Sequence, residues 1–469
     1  MAAGPLIHPI DCEPGVLLAL HAAQPGRYPA LFESAATGGT GRYDILFACP
    51  GERLTLGQDG VVHTPSGTMA PGRFLQHLDE WWRRERCAPS VPELPFTGGW
   101  LLYLGYELAG EIEPRLRLAR AAGPVARAIR VPAALLYEHD TGRTWIVGEP
   151  RAADFIPQIA ADAARATLVP RQGPLVRGAV AEEDPDRYRT AVARALEYIA
   201  AGDVYQANLS RAWTGTLAEG VAPHDLYRRL RETNPGPFSG VAVLDDITVV
   251  SSSPERLVDV RNGWITTRPI AGTRPRGRDA AADRDLAREL HAHPKERAEH
   301  VMLIDLERND LGRISEAGTV HVDEFMTIES YAHVHHIVSN VRGKLRAGTT
   351  PGEVIAAVFP GGTITGCPKV RCMEIIAELE QAPRGAYTGS LGYLNRDGSM
   401  DMNILIRSIQ VHGRAFVLRA GAGIVADSII ERELEETRAK ARGVLRALSE
   451  PVAGSEAQGG SRVETAAGT

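Results

Sequence analysis

The stretch "GVAVLDDITVVSSS", residues 240–253, sets two β-branched runs on either side of Asp245-Asp246. Two residues can reverse a strand only between antiparallel neighbours, so this segment is committed to a hairpin. Elsewhere the apolar period changes from two to 3.6. In "PDRYRTAVARALEYIA", residues 185–200, Tyr188, Val192, Leu196 and Ile199 form one helical stripe. Asp184 serves as its cap, Pro185 takes the first helical position and Gly202 ends it. Strand-like runs ("RYDILFAC", "RTWIVGE") and a helical run ("GRFLQHLDEWWRRER") occur earlier, and no short-period repeat is present. The mixture predicts an α/β chain and argues against a solenoid or propeller.

"LVPRQGPLVRGAVAEED", residues 168–184, lacks periodicity and is rich in glycine and proline. It suggests a first region over 1–170, a linker over 171–184 and a second region over 185–447, with the small, polar segment 448–469 as a disordered tail. With 469 residues, 44% of them apolar, the chain can bury a large core without metal or disulfide staples. The net charge of −6, with arginines dispersed among acids, argues for a small-molecule ligand and against nucleic acid. Five cysteines without metal-type spacing suit a reducing compartment. Neither a signal-like amino terminus nor an 18-residue apolar window is present, so the expected location is cytoplasmic, with no membrane contact.

Several stretches could carry chemistry. "VYQANLSR" alternates, putting Gln206, Asn208 and Ser210 on one strand face, either a site lining or a solvated surface. "KERAEHVMLIDLERNDLGR" spaces Glu296 and Glu299 by one helical turn, ahead of an apolar stripe of Val301, Met302, Ile304 and Leu306. "IIERELEETRAKARGVL" repeats the spacing with Glu433 and Glu436. Two such pairs suit one Mg²⁺, which prefers carboxylate oxygen; the alternative is a solvated face neutralised by nearby Arg297, Arg432, Arg438 and Lys440. "FPGGTITGCPKVRCMEIIAELE" runs a Gly/Thr loop into a helix start at Pro368, where free N–H groups receive an anion, but without Walker spacing. "LRAGAGIVADS" reads as a second glycine turn after a strand. Glu255 in "SSSPERL" is either a general acid or an exposed turn residue. His336, one of three clustered histidines, is either a core residue or a proton carrier. Arg407, interrupting the apolar run "NILIRSIQ", calls for a carboxylate partner.

Taken in order, "YQANLS", "SPER", "PIAGT", "AEHVMLIDLERNDLGR", "HHIVS", "GGTITGCPKVR", "AYTGSLGY", "IRS", "GAGIVADS" and "EETRAKA" resemble the chorismate-using enzymes. That family includes anthranilate synthase component I, aminodeoxychorismate synthase component I and isochorismate synthases. The likeness is strong over about residues 185–447, and "FESA" and "GGWLLYLGYEL" extend it into the first region. It implies large antiparallel-rich sheets packed as a sandwich with peripheral helices. It also implies Mg²⁺ held directly by Glu299 and Glu436, with Glu296 and Glu433 in support, gripping the ring carboxylate of chorismate. Arg407, Tyr387 and the backbone of Gly421, Ala422 and Gly423 resemble holders of the enolpyruvyl carboxylate, with Lys440 adding positive charge. Glu255 resembles the acid for the departing 4-hydroxyl, and His336 the proton carrier near C2. The resemblance also implies that Thr273 and Thr363 are further contacts and that Glu33 and Ser34 of "FESA" form part of an aromatic amino-acid (tryptophan) pocket.

Members of the family differ in nucleophile. Water-using members carry a lysine base at the position of Gln206, so this chain resembles the ammonia-using branches. "NPGPFS", "VHHIVS" and "FPGGTITG" resemble aminodeoxychorismate synthase, whereas Ala271 in "PIAGT" is the usual anthranilate synthase residue. Alanine excludes a lysine adduct there and leaves direct attack by ammonia. No Gly-x-Cys-x-Gly setting is present, so ammonia is expected from a separate glutamine amidotransferase subunit. The expected activity is aminodeoxychorismate synthase component I, in para-aminobenzoate and folate synthesis, with anthranilate synthase component I as the alternative. A non-catalytic tryptophan- or chorismate-binding regulator is the alternative of another class.

Overall fold

The computed structural model describes residues 4–13, 15–35, 41–70, 72–88, 91, 93–331 and 334–449, and the expected tail lies almost wholly outside them. Among the described residues two sheets of twelve strands each make up the body, and neighbouring strands run antiparallel. The hairpin forms as read: Phe238–Leu244 pairs with Ile247–Ser253, turning at Asp245, whose φ is +60°. Pro185–Ala200 is a helix whose cap, Asp184, accepts from the backbone N–H of Asp186.

Both sheets cross the segment 171–184. In the first, Ala30–Glu33 pairs with Phe238–Leu244; in the second, Gly99–Leu104 pairs with Ser390–Asn395. The two regions therefore share both sheets, and the expected linker itself contributes an edge strand, Ala181–Glu182, which pairs with Trp213 and Thr214.

The facing sides of the sheets supply a common core that includes Phe47, Tyr103, Val249 and Leu391. Phe47 stacks edge-on against Phe96 at 5.0 Å between centroids. Burying each such ring contributes about 1.5–3 kcal/mol. Helices cover the outer faces, Phe74–Glu85, Pro294–Gly312 and Pro351–Val358 on one and Pro223–Thr233 and Ile430–Leu448 on the other. Among the described residues, no helix is long and apolar enough to cross a membrane.

Two local expectations are corrected. Val301 is 43% exposed. Ile304 and Leu306 of the expected stripe are buried, and the inward face of Pro294–Gly312 is completed by His300, Leu303, Glu307, Asp310 and Leu311. "LRAGAG" is no turn either. It lies inside the strand Ala415–Ile424, whose glycines pair with Gln206–Thr216.

Candidate active site

The strand Gln206–Thr216 buries both faces, so its polar side is not a solvated surface. Ala207 and Leu209 enter apolar cores. Gln206 and Asn208 point the other way, and the amide oxygens Oε1 and Oδ1 of these buried side chains have no hydrogen-bond partner among the described residues. Across the ladder, a Cβ at Gly421 would lie 2.7 Å from the Tyr387 hydroxyl, and one at Gly423 would lie 2.3 Å from Gln206 Nε2. At Gly421 the same Cβ would also lie 2.6 Å from the Leu209 carbonyl, so glycine is required there by close approach, whereas at Gly423 a side chain would displace the Gln206 amide. Ala422, between them, sends its side chain into the core beside Tyr188 and Leu434. It has only backbone to offer a ligand.

Tyr387 is fixed from behind. The Arg384 guanidinium lies 5.5 Å from its ring centroid and donates to Glu380 at 2.6 Å. Glu380 also receives Arg419 at 3.2 Å and the N–H of Ser210 at 2.7 Å. Burial alone would raise the Glu380 pKa, but the two guanidiniums hold it below the usual carboxylate range. Two cations on one anion leave a buried positive excess behind Tyr387, a setting suited to an anionic ligand.

Glu255 is 6% exposed and follows Pro254 at the end of the Ile247–Ser253 strand. Its backbone is pinned: the carbonyl accepts from Ile404 N at 3.0 Å and the N–H donates to Ser253 Oγ at 3.2 Å. Burial pushes its carboxyl up to about 7, against the opposing pull of Thr363, Lys440 and Arg407. The Thr363 hydroxyl approaches this carboxyl without closing a well-formed hydrogen bond. Arg407 sits in the left-handed region at φ +52°. Its guanidinium makes no hydrogen bond or ion pair among the described residues, and burial lowers its pKa. An unpaired arginine held in a strained backbone conformation is positioned for a carboxylate that the protein does not supply.

"PIAGT" forms the bulged strand Ile270–Pro275, with the register break between Ala271 and Thr273 and Gly272 at φ +65°. Ala271 is buried. Thr273 Oγ1 meets Nδ1 of buried His336 at 3.0 Å. Burial, helped by Arg407, pushes His336 down to about 4.

The four helix glutamates come into electrostatic reach of one another. Burial, Glu296 and Glu436 raise the pKa of Glu299; burial and Glu436 raise that of Glu433. Glu296 bonds Arg274 at 3.2 Å and Glu436 bonds Lys440 at 2.8 Å, while Lys440 also donates to the Gly421 carbonyl at 3.1 Å. Among the described residues no three His, Cys, Asp or Glu side chains stand close enough together to hold an ion. The donor chemistry, four hard carboxylates repelling one another, still fits Mg²⁺ once Arg274 and Lys440 give way.

Glu33 and Ser34 lie apart from this cluster, lining a cavity of about 450 Å³ with Pro237, Phe238 and Arg256. Glu33 is tied to Tyr227 at 2.5 Å and Arg231 at 2.9 Å. Arg256 and Glu255 are adjacent, so one bend of chain touches both the cavity and the acid.

Sequence reading passed over Glu307. It is 7% exposed on the inward helix face and is pushed up to about 8, chiefly by burial. Its spacing of three from Ile304 and from Asp310, both buried, was the available signal.

A profile of the chorismate binding enzyme family matches residues 32–446. Aminodeoxychorismate synthase component 1 of Bacillus subtilis is 38% identical, over 91% of this chain and 93% of its own. Anthranilate synthase component 1 of Thermus thermophilus is 39% identical, over 95% and 97%. The crystal structure of anthranilate synthase component I from Streptococcus pneumoniae TIGR4 superposes with a TM-score of 0.77 at 30% identity, covering 87% of this chain and 92% of that one.

Proposed function

Because the chain belongs to the family of chorismate binding enzymes and is a chorismate-utilising enzyme of the anthranilate synthase and aminodeoxychorismate synthase type, we propose that it is the aminodeoxychorismate synthase component I, aminating chorismate with ammonia. The observation that carries the amination is the buried Glu255 carboxyl, pushed up to about 7 by burial, in electrostatic reach of Arg407, whose guanidinium makes no hydrogen bond or ion pair among the described residues. Arg407, Tyr387 and the Gly421 and Gly423 backbone receive the enolpyruvyl carboxylate. Glu255 gives its proton to the 4-hydroxyl, the C4–O bond breaks and water leaves. Ammonia forms the new C–N bond at C4, the carbon that loses its oxygen, and afterwards loses a proton; addition at C2 instead, with the ring double bonds shifting as the 4-oxygen leaves, belongs to the second reading below. Mg²⁺, held by Glu299 and Glu436 with Glu296 and Glu433 in support, supplies a hard positive charge for the ring carboxylate.

Gln206 supports ammonia over water, because an amide cannot take a proton from water. Ala271 offers no amine for a covalent adduct. The choice of an aminodeoxychorismate product rests on "NPGPFS", "VHHIVS" and "FPGGTITG". Ala271, beside a neutral His336 able to take a C2 proton, favours the second reading, anthranilate formation with loss of pyruvate.

Relatives named as component 1 of their synthases support a further component, which we take to be a glutamine amidotransferase supplying ammonia in the cytoplasm. The purified chain should consume chorismate with Mg²⁺ and ammonium salt, and fail with glutamine alone. Release of ammonia from glutamine by this chain by itself would contradict the partnership.

A further inference from the structure

The chemistry above gives work to Tyr387, Gly421 and Gly423 but none to Asn208, which shares one face of the ladder with the two glycines and pairs directly with Gly423. Its main chain is held on both sides. The N–H donates to the Thr365 carbonyl at 2.9 Å, and the carbonyl accepts from Arg384 at 2.7 Å. Its side chain is held by nothing: the residue is 8% exposed, Oδ1 has no hydrogen-bond partner among the described residues, and no described group accepts from Nδ2.

The glycine beside it fixes where that amide stands. A Cβ on Gly421 would lie 2.7 Å from Tyr387 Oη and 2.9 Å from Asn208 Oδ1, so the hydroxyl and the amide flank the same bare Cα. The Tyr387 hydroxyl makes no hydrogen bond among the described residues either. A buried amide without partners costs stability, and two such polar groups side by side, with glycine clearing the space before them, suit a ligand that completes their hydrogen bonds.

The neighbours decide what that ligand offers. Arg384 and Arg419 against the single anion Glu380 leave the ground behind Tyr387 positive, and Lys440 reaches the Gly421 carbonyl at 3.1 Å. An anion is favoured there, and an amide meets an anion through its N–H₂, which no protein contact prevents from turning inward.

We propose that Asn208 is a further substrate-binding residue, donating an N–H of its side-chain amide to the carboxylate of the enolpyruvyl group beside the Tyr387 hydroxyl. The inference rests on the reading of this pocket as the holder of that carboxylate. Asn208 adds a neutral donor where Arg407 supplies the charge, so the contact orients the group without burying another ion.

The test is the equilibrium binding of chorismate by calorimetry, with Mg²⁺ present and ammonia absent so that amination cannot proceed, for native enzyme, N208L and N208D. N208L removes the donor and should weaken chorismate about ten- to 150-fold, the loss expected of a hydrogen bond to a charged group. Its melting temperature should equal or exceed the native one, because the free protein loses an amide that it leaves unpaired. N208D keeps the acceptor oxygens and loses the donors, so it should weaken chorismate at least as much as N208L does. Native-like binding by N208D overturns the donor role. A loss in N208L confined to the KM for ammonia also overturns it, placing the amide at the nucleophile instead. A lower melting temperature with unchanged chorismate binding in N208L assigns Asn208 to the fold alone and overturns the proposal as well. Should N208D not fold, N208L decides by itself. Failure of the native protein to bind chorismate would sink the reading of the site, a different failure.

Discussion

Nδ1 of His336 lies 3.0 Å from the Thr273 hydroxyl and 3.3 Å from the Gly272 carbonyl. A carbonyl only accepts, so this contact puts the imidazole proton on Nδ1 and leaves Nε2 with its lone pair. The bulge at Ala271-Gly272-Thr273 makes both contacts possible, because it turns two successive residues toward one ring. T273V should keep the Gly272 contact and lower kcat about three- to tenfold, and H336Q should lower it by about 10²–10⁴, the range for loss of a proton-transfer group. Steady-state kinetics at pH 7.5 checks both, and an H336Q enzyme within threefold of native would remove the histidine from the chemistry.

Glu255 should limit the alkaline side of the profile. With its carboxyl pushed up to about 7, the protonated form is lost as pH rises through that value, and kcat falls with it. E255Q should lose about 10²–10⁴ in kcat with little change in KM. A native profile flat from pH 6 to 9 would contradict the assignment.

Gly421 and Gly423 stand where a methyl group has no room, at 2.7 Å from Tyr387 Oη and 2.3 Å from Gln206 Nε2. G421A and G423A should each raise KM or lower kcat by more than about tenfold while the fold survives, whereas A422G should cost about 0.5–1 kcal/mol of stability and little activity. Calorimetry beside kinetics separates the two effects.

Arg407 makes no hydrogen bond or ion pair among the described residues, and lysine keeps the positive charge that Glu255 feels. R407K should keep native stability and weaken chorismate by about 1.5–3 kcal/mol, the worth of a hydrogen bond to a charged group, seen as a rise in KM of about 10- to 150-fold. A drop in melting temperature with unchanged KM would show a structural role instead.

His21 offers a stability test far from the site. It is buried, its Nδ1 lies 2.8 Å from the Tyr28 carbonyl, and burial pushes it down to about 4 from an ordinary 6.5. The unfolded chain therefore binds the extra proton between those values, and stability falls as pH drops from about 6.5 toward 4. H21Q should flatten that part of the curve in urea unfolding; an unaltered slope would show that His21 is not its source.

Local signals were legible where a few adjacent residues decide the outcome. Asp245-Asp246 between β-branched runs, and Asp184-Pro185 before a helical stripe, needed no distant partner to be read. The arginines flanking "PIAGT" were harder: Arg268 pairs with Glu324 and Glu329, Arg274 with Glu289 and Glu296, and Arg276 with Asp283. Those partners come from other strands and helices, which one strand's pattern cannot show. The same limit hid Glu307, since a charged residue on a helix reads as solvated until its neighbours are known. The glycines of "LRAGAG" failed for a related reason: nothing local tells a strand glycine cleared for Gln206 and Tyr387 from one in a turn.

The most direct measurement of the central claim is product analysis after incubating the chain with chorismate, Mg²⁺ and ammonium salt at mildly alkaline pH. The account predicts that chorismate disappears only with both additions present, yielding an aminated ring that keeps its enolpyruvyl mass, with no pyruvate. Pyruvate in equal amount to fluorescent anthranilate would contradict the aminodeoxychorismate product. No consumption under any of these conditions would contradict the enzyme itself.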